Sequence, residues 1–281
     1  MWLWTAIGSA ILFGLAGWWM KVSQMRGGST RLLLLGLYSA GAAGFGVHAG
    51  IEGSLHELAD MRVWAAGLII GAGSAWGNSL FMNALQYGPA SLTSPLTNLN
   101  IVLVVAMSTL WYHEPLSLVQ AIGIALLLLS VVLIAYKRKE PLSVKEKRWF
   151  LLVGLAIIMF ALRNGGLKVT DELGLSSAPI LFVAYLLSVL WFLLPSKGSV
   201  SREARAIGWK LGLAAGLFSY GGLQLYAVAI ATGQANLAAP IFATNSLIVA
   251  IGSIALYKER LSAPQWAAFL FMLAGLIAIR L

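Results

Sequence analysis

The chain has no cysteine in its 281 residues, only three histidines, and ten acidic side chains against nineteen lysines and arginines. Without cysteine, disulfides, thiolate chemistry and sulfur-ligated metal sites are all excluded. Charged residues make up 10% of the chain, where a soluble domain carries roughly a quarter. No basic residue precedes the first apolar run, and Lys21, Arg26 and Arg31 follow it, the reverse of a cleavable signal peptide. The middles of the apolar runs contain no aspartate or glutamate, so a membrane-embedded carboxylate pair is excluded as well.

What is present is apolar. Hydrophobic residues account for 59% of the chain and mean hydropathy is +0.85. A helix needs about 20 apolar residues to cross the hydrocarbon core. That ruler predicts ten spans, at 2–22, 31–51, 62–86, 90–112, 115–136, 148–168, 177–195, 205–230, 235–257 and 262–280. The predicted fold is therefore all-α and polytopic, with no soluble domain. The net charge of +9 follows from an uneven distribution across the membrane rather than from nucleic-acid binding. Fifteen basic residues, among them Lys137, Arg138, Lys139, Lys145 and Lys147, fall on the side opposite the N-terminus. Only Arg62, Lys168 and Arg280 fall on the N-terminal side, and Arg163 lies inside a span. The positive-inside rule then places both termini outside, in a plasma membrane of the bacterial inner-membrane kind.

The chain also repeats itself. At an offset of 145, positions 64–128 and 209–273 align without a gap and share 21 identities. These include Gly67/Gly212, Gly71/Gly216, Ser74/Ser219, Pro95/Pro240, Asn100/Asn245 and Glu114/Glu259. First spans match at an offset of 147, through Trp2/Trp149, Phe13/Phe160 and Lys21/Lys168, while the second spans show no defensible match. The halves are read as 1–138 and 148–281, joined by the charged linker 139–147. Five spans per half is an odd number, so equivalent helices run in opposite directions and the repeat is inverted. The Gly-x-x-x-Gly pairs 67/71 and 212/216 are spaced for close helix packing.

Asn83–Leu96 reads N-A-L-Q-Y-G-P-A-S-L-T-S-P-L, and Glu114–Leu126 reads E-P-L-S-L-V-Q-A-I-G-I-A-L. With their second copies at Ala229–Ile241 and Glu259–Gln265, these segments resemble the EamA family of the drug/metabolite transporter superfamily. The resemblance covers the whole chain. It implies a ten-helix carrier with a central cavity lined mainly by the first, third, fourth, sixth, eighth and ninth spans, worked by rocking of the halves. The chain departs from that family at Asn100 and Asn245, where a proline is common. It also lacks the basic termini of many members, and its own charges decide the orientation given above.

Several polar residues fall within the spans. Asn100 and Asn245 sit near mid-membrane in equivalent helices, and each either lines a central site or bonds a neighbouring helix, since a bare amide in hydrocarbon is costly. Thr93, Thr97 and Asn100 share one helical stripe. Arg163, with Asn164 beside it, either grips a carboxylate or phosphate bidentately or snorkels outward. Trp76 and Asn83 share a face of the third span with Tyr87, and Tyr220 and Gln224 share one of the eighth. Trp18 and Trp19 complete the aromatic set able to stack on a ring or quaternary amine. Tryptophans near span ends, Trp19, Trp64, Trp111 and Trp209, read as interface anchors. His48, with Glu52 four residues on, is the candidate proton carrier. Glu114 and Glu259 are read as turn residues that accept from the free N–H groups of the following helix, with Ser117 and Ser262 placed for capping.

His113-Glu114 begins a zinc-protease H-E-x-x-H, but Ser117 occupies the second ligand position, so a membrane enzyme is the weaker alternative. The reading is a secondary transporter for an amino-acid-like zwitterion or organic anion. It needs no cofactor or metal, has small-molecule and lipid partners but no nucleic acid, and is a monomer because its repeats are fused. Export of amphipathic cations or drugs is the alternative within transport.

Overall fold

The apolar periods become helices wherever a capping residue or glycine permits a turn between them. The structure is a computed structural model that describes residues 1–87, 93, 96–134, 147–194, 200–249 and 263–280. Its helices are α1 (Trp2–Met25), α2 (Thr30–Ile51), α3 (Met61–Ala84), α4 (Asn100–Leu110), α5 (Leu118–Ile134) and α6 (Lys147–Glu172), then α7 (Ser177–Leu193), α8 (Arg202–Thr232), α9 (Ala235–Ala243) and α10 (Ala263–Arg280). A 3-10 turn, Ser54–Ala59, joins α2 to α3, and no strand occurs among the described residues. α1, α2, α6 and α8 are each long and apolar enough to cross a membrane. Leu96–Leu110, Leu118–Leu133, Ser177–Leu193, Ala235–Val249 and Trp266–Ile279 are shorter apolar helices. The protein is a helical membrane protein.

Local chemistry explains the ends. Ser29, Asp60 and Ser201 accept from the first free N–H groups of α2, α3 and α8. Before α5, Ser117 Oγ accepts from Gln120 N (3.2 Å) while Gln120 Oε1 accepts from Ser117 N (3.0 Å), a reciprocal capping box. The expected cap at Ser117 is thus present; Glu259 and Ser262 lie outside the described residues.

Helices from different halves interdigitate in matched pairs. α1 packs on α8 as α6 packs on α3, α2 on α8 as α7 on α3, and α1 on α9 as α6 on α4. Three helices also meet their own equivalents antiparallel. Along α2 and α7, Arg31 Nε donates to the Phe192 carbonyl while Gly46 abuts Phe182. Asn98 reaches Ala243, as Thr109 near the far end of α4 reaches Asn236 at the start of α9. In α5 and α10, Gly123 abuts Ile279 and Leu127 abuts Gly275. Antiparallel contact between equivalent elements is the geometry of a two-fold axis lying across the helices.

The small-residue pairs perform the packing expected of them. A Cβ at Gly71 would lie 2.7 Å from the Ala184 carbonyl oxygen in α7, and one at Gly212 would strike the Leu33 carbonyl in α2. The axis also corrects the reading of the second spans. Tyr38 and Tyr185, 147 residues apart, bond Ser74 (3.0 Å) and Ser219 (2.7 Å), themselves repeat equivalents. Tyr38 stacks on Phe192 as Tyr185 meets Phe45 edge-on, and Phe45/Phe192 keep the same offset. The match was hidden because a few aromatics carry it within interchangeable aliphatic residues.

One irregularity positions the site. The fourth and ninth helical segments, Leu96–Leu110 and Ala235–Val249, are both interrupted, at Leu99 and Thr244, which are repeat equivalents. At each break the backbone tightens to three-residue hydrogen bonds, Leu99 N to Leu96 O and Thr244 N to Ile241 O. Pro240, inside α9, has no N–H to give and disfavours a regular turn before it.

Candidate functional site

Asn100 and Asn245 immediately follow the two breaks and repair them. Asn100 Nδ2 donates to the Thr97 carbonyl (2.6 Å) and Asn245 Nδ2 to the Phe242 carbonyl (2.8 Å), at equivalent positions. Their remaining carbonyls then diverge. Asn100 Oδ1 accepts from Asn164 Nδ2 of α6 (2.8 Å), whereas Asn245 Oδ1 faces Asn98 Nδ2 across the halves (3.4 Å). The stripe expected to line a lumen therefore docks on α6: Thr93 accepts from Trp149 Nε1 (3.0 Å) as Asn100 meets Asn164.

Arg163 completes the relay. Its Nε donates to Asn164 Oδ1 (3.0 Å), so a single line of donors runs from Arg163 through Asn164 and Asn100 to the broken turn of α4. Its side chain does not snorkel. Only 4% of the residue is exposed, and the guanidinium lies over the rings of Phe160 (4.7 Å) and Phe13 (5.0 Å). Tyr38, Tyr185 and Tyr226 stand within electrostatic range of it. Among the described residues no carboxylate pairs with it, and the hydrogen bond it makes there is that of Nε to Asn164 Oδ1. Phe242 packs on both Phe13 and Tyr226 (4.9 and 4.5 Å between ring centres). The Tyr226 hydroxyl is buried without a hydrogen-bond partner. A buried cation with no carboxylate partner among the described residues, within electrostatic range of a phenol that has no hydrogen-bond partner, has the chemistry of an anion-accepting group.

A second polar cluster joins four residues named from sequence. His48 Nδ1 lies 3.0 Å from the Tyr220 hydroxyl, while its Nε2 lies 2.9 Å from Glu52 Oε1 and 3.2 Å from Gln224 Nε2. Trp76 and Asn83 lie apart from both clusters. Trp76 is 45% exposed and packs edge-on against Trp191, and Asn83 is exposed. The face of α3 that points inward carries Ser74 and Asn78 instead, and Asn78 Nδ2 donates to the Tyr38 hydroxyl (2.8 Å). Trp18 packs against its neighbour Trp19. Tyr38, Asn78, Tyr185, Tyr226, Phe13 and Phe160 were not singled out for this site from sequence, although Phe13/Phe160 stood among the repeat identities.

Glu114 also does more than its turn required. His113, three residues past the end of α4, adopts a left-handed backbone (φ 54°). Glu114 then accepts from Ala235 N (3.0 Å) and Asn236 N (2.8 Å), at the start of α9 in the other half, rather than from the helix that follows it. The same carboxylate pairs with Lys168 (2.8 Å), which also contacts Glu172. Lys168, expected as a loop charge, is a buried residue of α6. A carboxylate at a helix N-terminus and against a lysine is doubly stabilised, and this one ties the two halves together at the end that carries Met1.

Comparison with known proteins bears on the whole chain. The model of the EamA-like transporter family matches twice, over residues 1–136 and 147–281. An uncharacterized protein of Methanocaldococcus jannaschii is 31% identical over 78 residues, which are 28% of this chain and 57% of that protein. The chain therefore spans only somewhat over half of this relative's length. A crystal structure, described only as that of a protein, superposes with a TM-score of 0.70 at 18% identity, covering 96% of each chain; this likeness concerns the fold alone.

Proposed function

The chain belongs to the EamA-like transporter family, and from that premise we propose that it is a secondary carrier for a small metabolite bearing an anionic group, an amino-acid-like zwitterion or an organic anion. The carrier has ten membrane spans in two inverted five-helix halves, 1–138 and 148–281. It sits as a monomer in the plasma membrane with both termini outside, and works by alternating access. Broken helices at mid-membrane whose freed backbone and side chains face a solute are a recurrent way to build such a site.

One observation carries the choice of solute. Arg163 is buried with no acidic partner among the described residues, and a charge in that position is expensive until an opposite charge arrives. The Asn164–Asn100 relay fixes the Nε edge of the guanidinium and leaves the terminal nitrogens for a carboxylate or phosphate. An amphipathic cation would meet a like charge here, and Trp76, the best aromatic candidate for it, stands on the outside of the bundle.

The test is a thermal-shift screen of the purified protein against amino acids, organic acids and phosphorylated metabolites, because binders of the folded state raise its melting point. Arg163→Ala is expected to abolish the response to anionic compounds, while Trp76→Ala retains it. The reverse pattern would hand the site to cations. Saturable uptake with trans-acceleration in proteoliposomes separates a carrier from a channel.

A further inference from the structure

The His48 cluster is not used by the anion site, and it sets polar side chains against both ring nitrogens. A neutral ring has one N–H; here Tyr220 Oη and Glu52 Oε1 stand at the two ring nitrogens. Gln224 adds a third group, directed at Nε2, and its own Oε1 is buried without any partner. Turning that amide over would set a third acceptor against the ring. The Tyr220 hydroxyl can donate to the neutral ring or accept from the imidazolium, so the cluster can hold both protonation states of His48.

Resting on the carrier reading above, we propose that His48 is a proton-binding site coupled to the anion site. In the neutral ring Nε2–H donates to Glu52 and Nδ1 accepts the Tyr220 hydroxyl proton. When the ring takes up a second proton, that proton sits on Nδ1, which becomes a donor. Tyr220 must then turn its hydroxyl and accept. The other ionisable groups near this end are engaged elsewhere: His56 Nδ1 with the Gly53 carbonyl, Glu57 with Ser176, and Asp60 with Arg62. Glu52 on α2 and Tyr220 on α8 are thus the ionisable groups in contact with the ring.

The Tyr220 ring cannot move independently. It meets Phe45 edge-on at 4.9 Å, Phe45 meets Tyr185 at 5.0 Å, and Tyr185 meets Tyr38 at 5.1 Å. Gly44 lies against Tyr220 so closely that a Cβ there would be 2.7 Å from its ring. Tyr38 in turn bonds Ser74 of α3, and the adjacent Gly73 packs on the backbone of Arg163. A line of ring contacts thereby runs from the proton site to Tyr38, and through Ser74 and Gly73 of α3 to the backbone of Arg163.

Two measurements test this on the full-length protein. Histidine-labelled NMR titration needs no substrate. Glu52→Gln and Tyr220→Phe are expected to move the titration of His48 while leaving His56 and His113 in place, and an unchanged His48 curve in both variants would overturn the site. In proteoliposomes loaded with a pH-sensitive dye, a mixture of amino acids and organic acids is added outside. Wild type should acidify or alkalinise the lumen with uptake, and His48→Gln should lose that proton movement by about tenfold or more while keeping its thermal shift with the same mixture. Proton movement undiminished in His48→Gln, or uptake by wild type without any, would refute coupling. Absence of both thermal shift and uptake in wild type would instead refute the carrier reading for these solutes.

Discussion

Removing one hydroxyl separates folding from binding in the proposed anion site. The buried, unpartnered Tyr226 oxygen costs stability in the empty protein, so Tyr226→Phe is expected to leave the melting point unchanged or raised, by about 1–2 kcal/mol at most. If the phenol serves the bound anion, the same change weakens that anion's thermal shift, and a loss of stability without loss of binding would contradict the assignment. Asn164→Ala is expected to act in the opposite sense. It strands Arg163 Nε and Asn100 Oδ1 in the interior, at about 1–3 kcal/mol for each orphaned group, visible as a lower melting point before any ligand is added. Arg163→Lys keeps the charge but loses the planar fork, and so should not restore the anion response that alanine abolishes.

Between helices, glycines separate close approach from empty space. Gly212→Ala drives a methyl into the Leu33 backbone of α2, whereas Gly154 has nothing within 4 Å of its would-be Cβ. The first is expected to lower the melting point sharply; Gly154→Ala should raise it slightly, by about 0.5–1 kcal/mol from helix propensity. The helices, their repeat and these small-residue pairs were legible in sequence, because apolar runs and identities at a fixed offset are local signals. The Arg163–Asn164 pair was also legible, as the rare charge within a span. Which face of α3 turns inward was not. That helix is apolar nearly all round, so the sequence favoured the face of Trp76 and Asn83, whereas packing buries Ser74 and Asn78 and leaves Trp76 and Asn83 exposed. The partner of Glu114 was illegible for a different reason: its acceptor role looked local, but the N–H groups it satisfies arrive from a helix more than a hundred residues away.

At the scale of the whole molecule the halves are held by buried polar contacts as well as by packing. Lys168 and Glu114 are both largely buried, so Glu114→Gln leaves an ammonium with one exposed partner and weakens the hold on α9. A destabilisation of about 3–5 kcal/mol is expected for removing one member of such a pair, and less for the double change Glu114→Gln with Lys168→Met, as read by melting points of the three variants. Because the chain contains no cysteine, single cysteines placed before Trp2 and within the linker report orientation directly. An impermeant thiol reagent should label the first and not the second on intact cells. The antiparallel meeting of α2 with α7, α4 with α9 and α5 with α10 has a consequence for ancestry. A surface that packs on its own equivalent is isologous, the kind through which two identical subunits associate. Each half therefore carries much of what it would need to pair with an upside-down copy of itself, and the linker is a convenience of stoichiometry rather than a condition of assembly. Residues 1–138 and 139–281 produced as separate chains should find one another in the membrane and co-purify.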